Sequence, residues 1–401
     1  MKLVFIFYKG MFMRNLKDTF LLLFTLLTTS TGFASEPAEH YEIIQSKQLN
    51  EERRILVQLP DDYSTNTDKN YPVIYVLGAI GDLPVLTSVL ARLHEQDAAP
   101  QTIIAMIENT DRTRDLTPTV NQDPRGPVGQ GGGGDKYLDF IEMELIPHMN
   151  KTFRTHDFKI VMGSSIGGLL VIHSLQSRPH LFQAHMAFSP AVWWADRSTA
   201  KETKAFISKT KKFDSYLYMN IGEEGGDMRV VYDDLDDYLQ NNQPENFKLV
   251  SDVFPSVPHG LTAPAGMFNA FHHLFLSIHM PMTAYTGSTE SIKEYYQRLS
   301  SQRGIKTTPP EGSVRQIGYN LVNQKKMAEA IDVFKYNITL HTNSPDAQYG
   351  LAYGYDVKGD LPAALAQANK AVEVLDKNHD YYDFFINAQK KLSDKVAKQA
   401  N

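Results

Sequence analysis

The chain of 401 residues contains no cysteine, which removes disulfides, thiolate metal sites and a cysteine nucleophile at once. Stability therefore has to come from packing. Clustered lysine and arginine are also missing: the formal net charge is −6 without long runs of one sign, so neither a nucleic-acid surface nor a polybasic membrane patch is expected. There is no G-x-x-x-x-G-K-[ST] phosphate loop, and no histidine pair with helix-face metal spacing beside a glutamate. Gly129-Gln130-Gly131-Gly132-Gly133-Gly134 does satisfy G-x-G-x-x-G, but Asp123-Pro124-Arg125-Gly126-Pro127 precedes it where a dinucleotide site needs a strand, so it reads as a flexible loop. Neither a metal nor a cofactor is expected.

The apolar stretch Phe20 to Leu27 is shorter than the roughly 20 residues of a bilayer span. It follows Met13-Arg14-Asn15-Leu16-Lys17 and precedes Gly32-Phe33-Ala34, the order of an export leader with small residues before the cut. Residues 1–34 are accordingly expected to be a signal peptide, with Met11 or Met13 as the true start, no stable membrane anchor, and a periplasmic destination.

What is present is 42% hydrophobic residues, ordinary for a chain with large cores, and a length that suggests two or three domains. Tyr41 to Ser46 and Arg54 to Leu59 read as a β-hairpin, and Pro72 to Leu77 as a strand buried on both faces. Further strands at Thr102 to Ile107, Phe158 to Met162, Ala184 to Phe188, Ser215 to Ile221 and Phe247 to Phe254 follow. Helical patterns at Leu83 to His94, Lys136 to Asn150, Leu169 to Ser177, Met228 to Gln240 and Ala263 to Ile278 alternate with them. Such alternation predicts an α/β domain over residues 35–285 around a mostly parallel eight-stranded sheet. From residue 286 to 401 only helices are expected. Gly318 with Ala352, Ala330 with Ala364 and Ile331 with Leu365 share a spacing of 34, the tetratricopeptide period. Two repeats are few for an independent solenoid, so this tail is expected to pack on the first domain or on a protein partner, including a second copy.

Gly163-Ser164-Ser165-Ile166-Gly167 places a G-x-S-x-G between a strand and a helix, the frame of a nucleophile elbow in which only Ser165 fits. A serine hydroxyl needs a base, and the base an acid to hold its tautomer; in this fold both follow the serine, in loops after later strands. His259 alone among thirteen histidines sits just after the last strand, in Pro258-His259-Gly260. After Ser215 to Ile221 come Glu223, Glu224 and Asp227; Glu224 is the choice for the acid, Glu223 the second, and Asp227 reads as a helix cap. Oxyanion donors are expected from the amide of Ile166 and from Gly78 or Ala79. Arg112 and Arg114, after a strand, could meet an anionic substrate or build a salt-bridge network; Trp193 and Trp194 could stack on an aromatic substrate, one of them being core.

With these residues in place, the chain from about Tyr41 to Ile278 resembles the putative esterase family of α/β-hydrolases, which includes esterase D and the enterobactin- and salmochelin-type siderophore esterases. The likeness rests on Tyr71 to Leu77, Asn109 to Pro118, Gly163 to Gly168, Ser189 to Trp194 and Pro258 to Gly260. A tetratricopeptide-like tail also occurs in a branch of that family. The resemblance implies Ser165 as nucleophile, His259 as base, Glu224 as acid, and a small-molecule ester as substrate, a siderophore trilactone or related hydroxyaryl ester among the candidates. One departure is visible: the family often has Leu-Asp-Gly where this chain has Leu77-Gly78-Ala79. Two rival functions share the fold: an acyltransferase, as in the mycolyl transferases, and an inactive scaffold acting through the tail. If the leader reading holds, N-terminal sequencing of the secreted protein will return Ser35 as the first residue; an intact leader on cytoplasmic protein refutes it.

Overall fold

The structure, a computed structural model, describes residues 39–78, 80–303 and 307–400. The expected leader and Ala79 lie outside the described residues. Eight strands form one sheet: β1 (Glu39–Ser46), β2 (Glu51–Gln58), β3 (Tyr71–Leu77), β4 (Ile103–Ile107), β5 (Thr155–Ser164), β6 (Ala184–Phe188), β7 (Tyr216–Ile221) and β8 (Lys248–Val253). Their spatial order is β1-β2-β4-β3-β5-β6-β7-β8. β1 and β2 pair as the expected hairpin, β2 runs antiparallel to β4, and all remaining pairs are parallel. Every residue of β3, β4, β6 and β7 is buried, because apolar runs such as YPVIYVL and IIAMI have no polar face to offer water.

Helices cover both faces. α1 (Leu83–Glu95) follows β3; the short α2 (Arg112–Leu116) follows β4; α3 (Gly134–Phe140) and α4 (Ile146–Thr152) flank a π turn at Ile141–Leu145. Then come α5 (Ile166–Ser177), α6 (Trp194–Lys209), α7 (Gly226–Asn241) and α8 (Thr262–Phe275). α1 and α8 share one apolar core with residues such as Ile74, Met106 and Phe188; α3, α5 and α7 share the other with Tyr75, Val161 and Leu217. Two helices were absent from the expectation. α2 occupies part of Asn109 to Asp115, and α6 follows β6 with only Trp194, Thr199, Ala200, Thr203 and Ile207 buried. Small and hydroxyl-bearing side chains on the buried face left α6 without a strong apolar period. The glycine stretch also differs from a flexible loop: the amides of Gly132 and Gly134 donate to Thr117 O at 3.1 and 3.0 Å, and Gly131 bridges to Val120.

The tail consists of α9 (Thr289–Arg303), α10 (Glu311–Asn323), α11 (Met327–Leu340), α12 (Pro345–Lys358), α13 (Leu361–Glu373) and α14 (Tyr382–Ala400). α12 starts 34 residues after α10, and α13 starts 34 after α11. Ser344 and Asp360 cap α12 and α13 by accepting the amides of Ala347 and Ala363, and Gly359 ends α12 at φ 87°. The pairs close on the Phe334 ring, which fills the space beside Gly318, Gly350 and Gly354. The tail docks on the sheet domain: Gly312 N donates to Asp97 Oδ2 at 3.0 Å, Ser313 Oγ lies 2.6 Å from His279 Nδ1, and Tyr296 Oη donates to Ile278 O at 2.7 Å. Among the described residues no helix is long and apolar enough to cross a membrane. Phe334→Ala empties the fully buried centre of the tail and is expected to cost about 3–5 kcal/mol, read as a lowered melting temperature of the helical signal.

Candidate active site

β5 ends at Ser164 and α5 begins at Ile166, which leaves one residue for the reversal. Ser165 takes φ 57° and ψ −117°, a region non-glycine residues seldom enter. Its backbone is held there from both sides: the amide donates to Phe188 O at 2.9 Å, and the carbonyl accepts from Leu169 N at 2.9 Å and Ala191 N at 3.1 Å. Glycine is required beside it, because a Cβ on Gly163 would lie 2.7 Å from the carbonyl carbon of Gly167. The amide of Ile166, first in α5, has no acceptor within its own helix and is available to a ligand anion.

Two further side chains come from the loops after β7 and β8. The chain turns at Gly222 so that Glu224 Oε2 accepts the Gly222 amide at 2.6 Å, while Oε1 lies 2.7 Å from His259 Nδ1. An ionised carboxylate only accepts, so Nδ1 carries the proton and Nε2 is left as the acceptor. Burial pushes the Glu224 carboxyl up, but favourable interactions with the Ser189 hydroxyl, His259 and the local amides outweigh it and hold the group below its ordinary value of 4.5. His259 remains substantially exposed. No hydrogen bond joins Ser165 to His259 in this structure; such contacts commonly tighten when substrate arrives.

The three competing carboxylates separate by position. Glu224 meets His259, Glu223 is exposed, and Asp227 pairs with Arg125 Nη1 at 3.0 Å and Arg197 Nη2 at 3.6 Å. Asp227 is not the cap expected from sequence: α7 starts at Gly226 with Gly225 at the cap, which puts Asp227 in the first turn.

On the opposite side of the elbow, Gly78 sits at φ +76°, and a Cβ there would meet Asn109 Nδ2 at 2.5 Å. Its amide turns back to Val76 O at 3.2 Å and is committed to that tight turn. Arg112 reaches the elbow from behind, donating from Nη2 to Ser164 O at 2.9 Å. Burial lowers the pKa of this guanidinium. The sequence offered Arg112 either an anionic substrate or a salt-bridge network, and carried no signal for a backbone partner. Arg114 is instead part of an ion-pair network with Glu51 (2.6 Å) and Asp115 (2.7 Å), where the fully buried Arg53 meets Asp115 at 2.6 Å. Trp194 is buried and donates to Thr119 O at 2.9 Å, whereas Trp193 is half-buried beside Gly126. Among the described residues no group of three His, Asp or Glu side chains is arranged to hold a metal.

A mostly parallel sheet with a strand–turn–helix elbow at its carboxyl edge, and an acid and a histidine joined across the loops after β7 and β8, has the architecture of an α/β-hydrolase, and the class of enzyme is a carboxylic ester hydrolase. The chain belongs to the Putative esterase family, whose profile matches residues 46–247. It is similar to the ferri-bacillibactin esterase BesA of Bacillus subtilis, 28% identical over 201 residues that cover 46% of this chain and 68% of that one. It is also similar to the siderophore triacetylfusarinine C esterase of Aspergillus fumigatus, 40% identical over 103 residues, 25% of this chain and 34% of that one. Among solved structures, an IroE-like serine hydrolase from Shewanella oneidensis shares the fold with a TM-score of 0.64 at 24% identity, covering 75% of this chain and 99% of its own.

The lowered pKa of Glu224 carries a sign. Its stabilising contribution is complete above about 4.5, the ordinary value, and is lost as pH falls through the lower folded-state value. Glu224→Gln is therefore expected to melt below the wild type at neutral pH, and the gap should close as pH is taken below 4.5; a gap that widens in acid contradicts the assignment.

Proposed function

We propose that Ser165, His259 and Glu224 work as a catalytic triad. The observation that carries this reading is the 2.7 Å bond between Glu224 and His259 on the same sheet edge as the strained elbow of Ser165. His259 Nε2 takes the proton of Ser165 Oγ as it attacks the ester carbonyl, and returns it to the departing alkoxide. Glu224 holds the imidazole tautomer and steadies the imidazolium formed in between. Water, activated by the same histidine, then frees the acid and regenerates the serine. The oxyanion is held by the Ile166 amide and by a second amide from the loop after β3. The Gly78 amide is turned toward Val76 O, and Ala79, the other candidate for that donor, lies outside the described residues.

The substrate proposed is a small siderophore-type ester, a trilactone or a related hydroxyaryl ester, on the strength of relatives named for siderophore esters. Trp193, half-buried in the loop after β6, is the residue proposed to stack on such a substrate. Export to the periplasm and protein contacts through the tail are part of the same proposal. The test compares wild type and Ser165→Ala on a chromogenic aryl ester and on a trilactone. Loss of about 10⁴-fold or more in kcat, with fluorophosphonate labelling confined to wild type, supports the triad. Retained hydrolysis by Ser165→Ala refutes it, and an ester product formed with an added alcohol redirects the activity to acyl transfer.

A further inference from the structure

One amide side chain stands in β7 among apolar and aromatic neighbours, and it is fully buried: Asn220. Its backbone pairs with Phe188 in the parallel ladder to β6, and its carbonyl accepts the Ser189 amide at 3.0 Å. The side chain bonds outward in two directions. Oδ1 accepts the same Ser189 amide at 3.0 Å, while Nδ2 donates to Thr262 O at 2.7 Å and lies 3.5 Å from Tyr218 Oη. On the first side the route continues to the elbow, because Phe188 O and Ala191 N, which flank Ser189 and Pro190, are the groups that hold the Ser165 backbone. On the second side it continues to the histidine, since Thr262 Oγ1 donates to His259 O at 3.0 Å. Ser189 and Thr262 are fully buried as well.

We infer that Asn220 is a positioning residue that sets the spacing between the Ser165 elbow and His259, an inference that rests on the triad reading above. Neither partner of the amide lacks another. Ser189 N already has the Asn220 carbonyl, and the carbonyl of a helix's first residue is served by the ladder donor four positions on. Satisfying an orphaned group therefore does not explain a buried amide, which is costlier to desolvate than an apolar side chain. What the amide adds is direction, because hydrogen bonds fix distance and angle where apolar contact does not. Two further observations agree. Gly266, inside α8, is a residue that disfavours a helix, yet a Cβ there would lie 2.3 Å from Asn220 Nδ2 and 2.4 Å from Tyr218 Oη. His259 sits in a single helical turn, His259–Leu261, with no buried residue, so core packing does not place it. Glu224 orients the ring, and Thr262 fixes the backbone that carries it.

The test measures kcat and KM on a chromogenic aryl ester, and the rate of fluorophosphonate labelling, with the full chain. Asn220→Leu removes both side-chain bonds, and Thr262→Val only the last link to His259. Each is expected to lower kcat by about 10²-fold and to slow labelling of Ser165 in proportion, with KM within about twofold of wild type. The double variant should fall no further than the worse single one, because both changes break one path. Asn220→Asp keeps the acceptor but has a donor only when protonated, and burial raises the pKa of such a carboxyl. Its kcat relative to wild type is therefore expected to rise as pH falls; Tyr218, Asp252, Glu224 and His259, the titratable groups around the position, are common to both proteins. Should Asn220→Leu fail to fold, Thr262→Val and Asn220→Asp decide. The inference is overturned by a lowered melting temperature with wild-type kcat, by a loss confined to KM, by additive losses in the double variant, or by an Asn220→Asp ratio that stays flat or falls in acid. Ser165→Ala separates these outcomes from the triad itself. If it still hydrolyses the ester, the triad fails and the bridge with it; if it is inactive while Thr262→Val keeps wild-type kcat, the bridge alone fails.

Discussion

Everything else in the molecule is arranged around the fact that β5 and α5 touch backbone to backbone. With only Ser165 between them, the serine must adopt a conformation that its side chain disfavours, at a cost on the order of 1–3 kcal/mol. The surrounding chain supplies what holds it there. Phe188 and Ala191, from the end of β6 and the loop after it, bond to the serine backbone, and Arg112 holds the carbonyl of Ser164. The strain is thus sustained by the end of β6 and the loop that follows it. A loose sheet could not keep one residue in such a turn.

The loops that meet the elbow are each fixed by a different means. The Glu224 loop is tied by its own carboxylate to Gly222 and His259, the Gly78 turn is confined by Asn109, and the loop after β4 is anchored through Arg114, Asp115 and Arg53. A buried pair such as Arg53 and Asp115 is poor evidence for net stability, since desolvation offsets attraction, but removing one partner would strand the other. Its evident role is to fix where the loop runs.

The sheet was legible because its strands are continuous apolar runs that no other element explains, and the elbow was legible because the steric demand for glycine writes itself into the sequence at Gly163 and Gly167. His259 stood out for the same kind of reason, in a short loop stiffened by proline. α6 was hidden by a buried face made of Thr199, Ala200 and Thr203, which hydropathy does not distinguish from solvent-facing residues. The separation of Glu224 from Glu223 and Asp227 depends on where a turn through Gly222 aims each side chain, and composition carries no information on that. The role of Arg112 was illegible for a further reason: its partner is a backbone carbonyl, which has no letter in the sequence.

The two helices that end on the tail are those that begin beside the site. α1 starts just beyond Gly78 and finishes near Asp97, which holds Gly312; α8 starts just beyond His259 and leads to His279, which holds Ser313. Two stiff rods therefore run from the neighbourhood of Ser165 to the same footing. The tail, the Gly78 turn and the loop that carries His259 share one mechanical frame, so a load on the tail has a rigid route to both sides of Ser165.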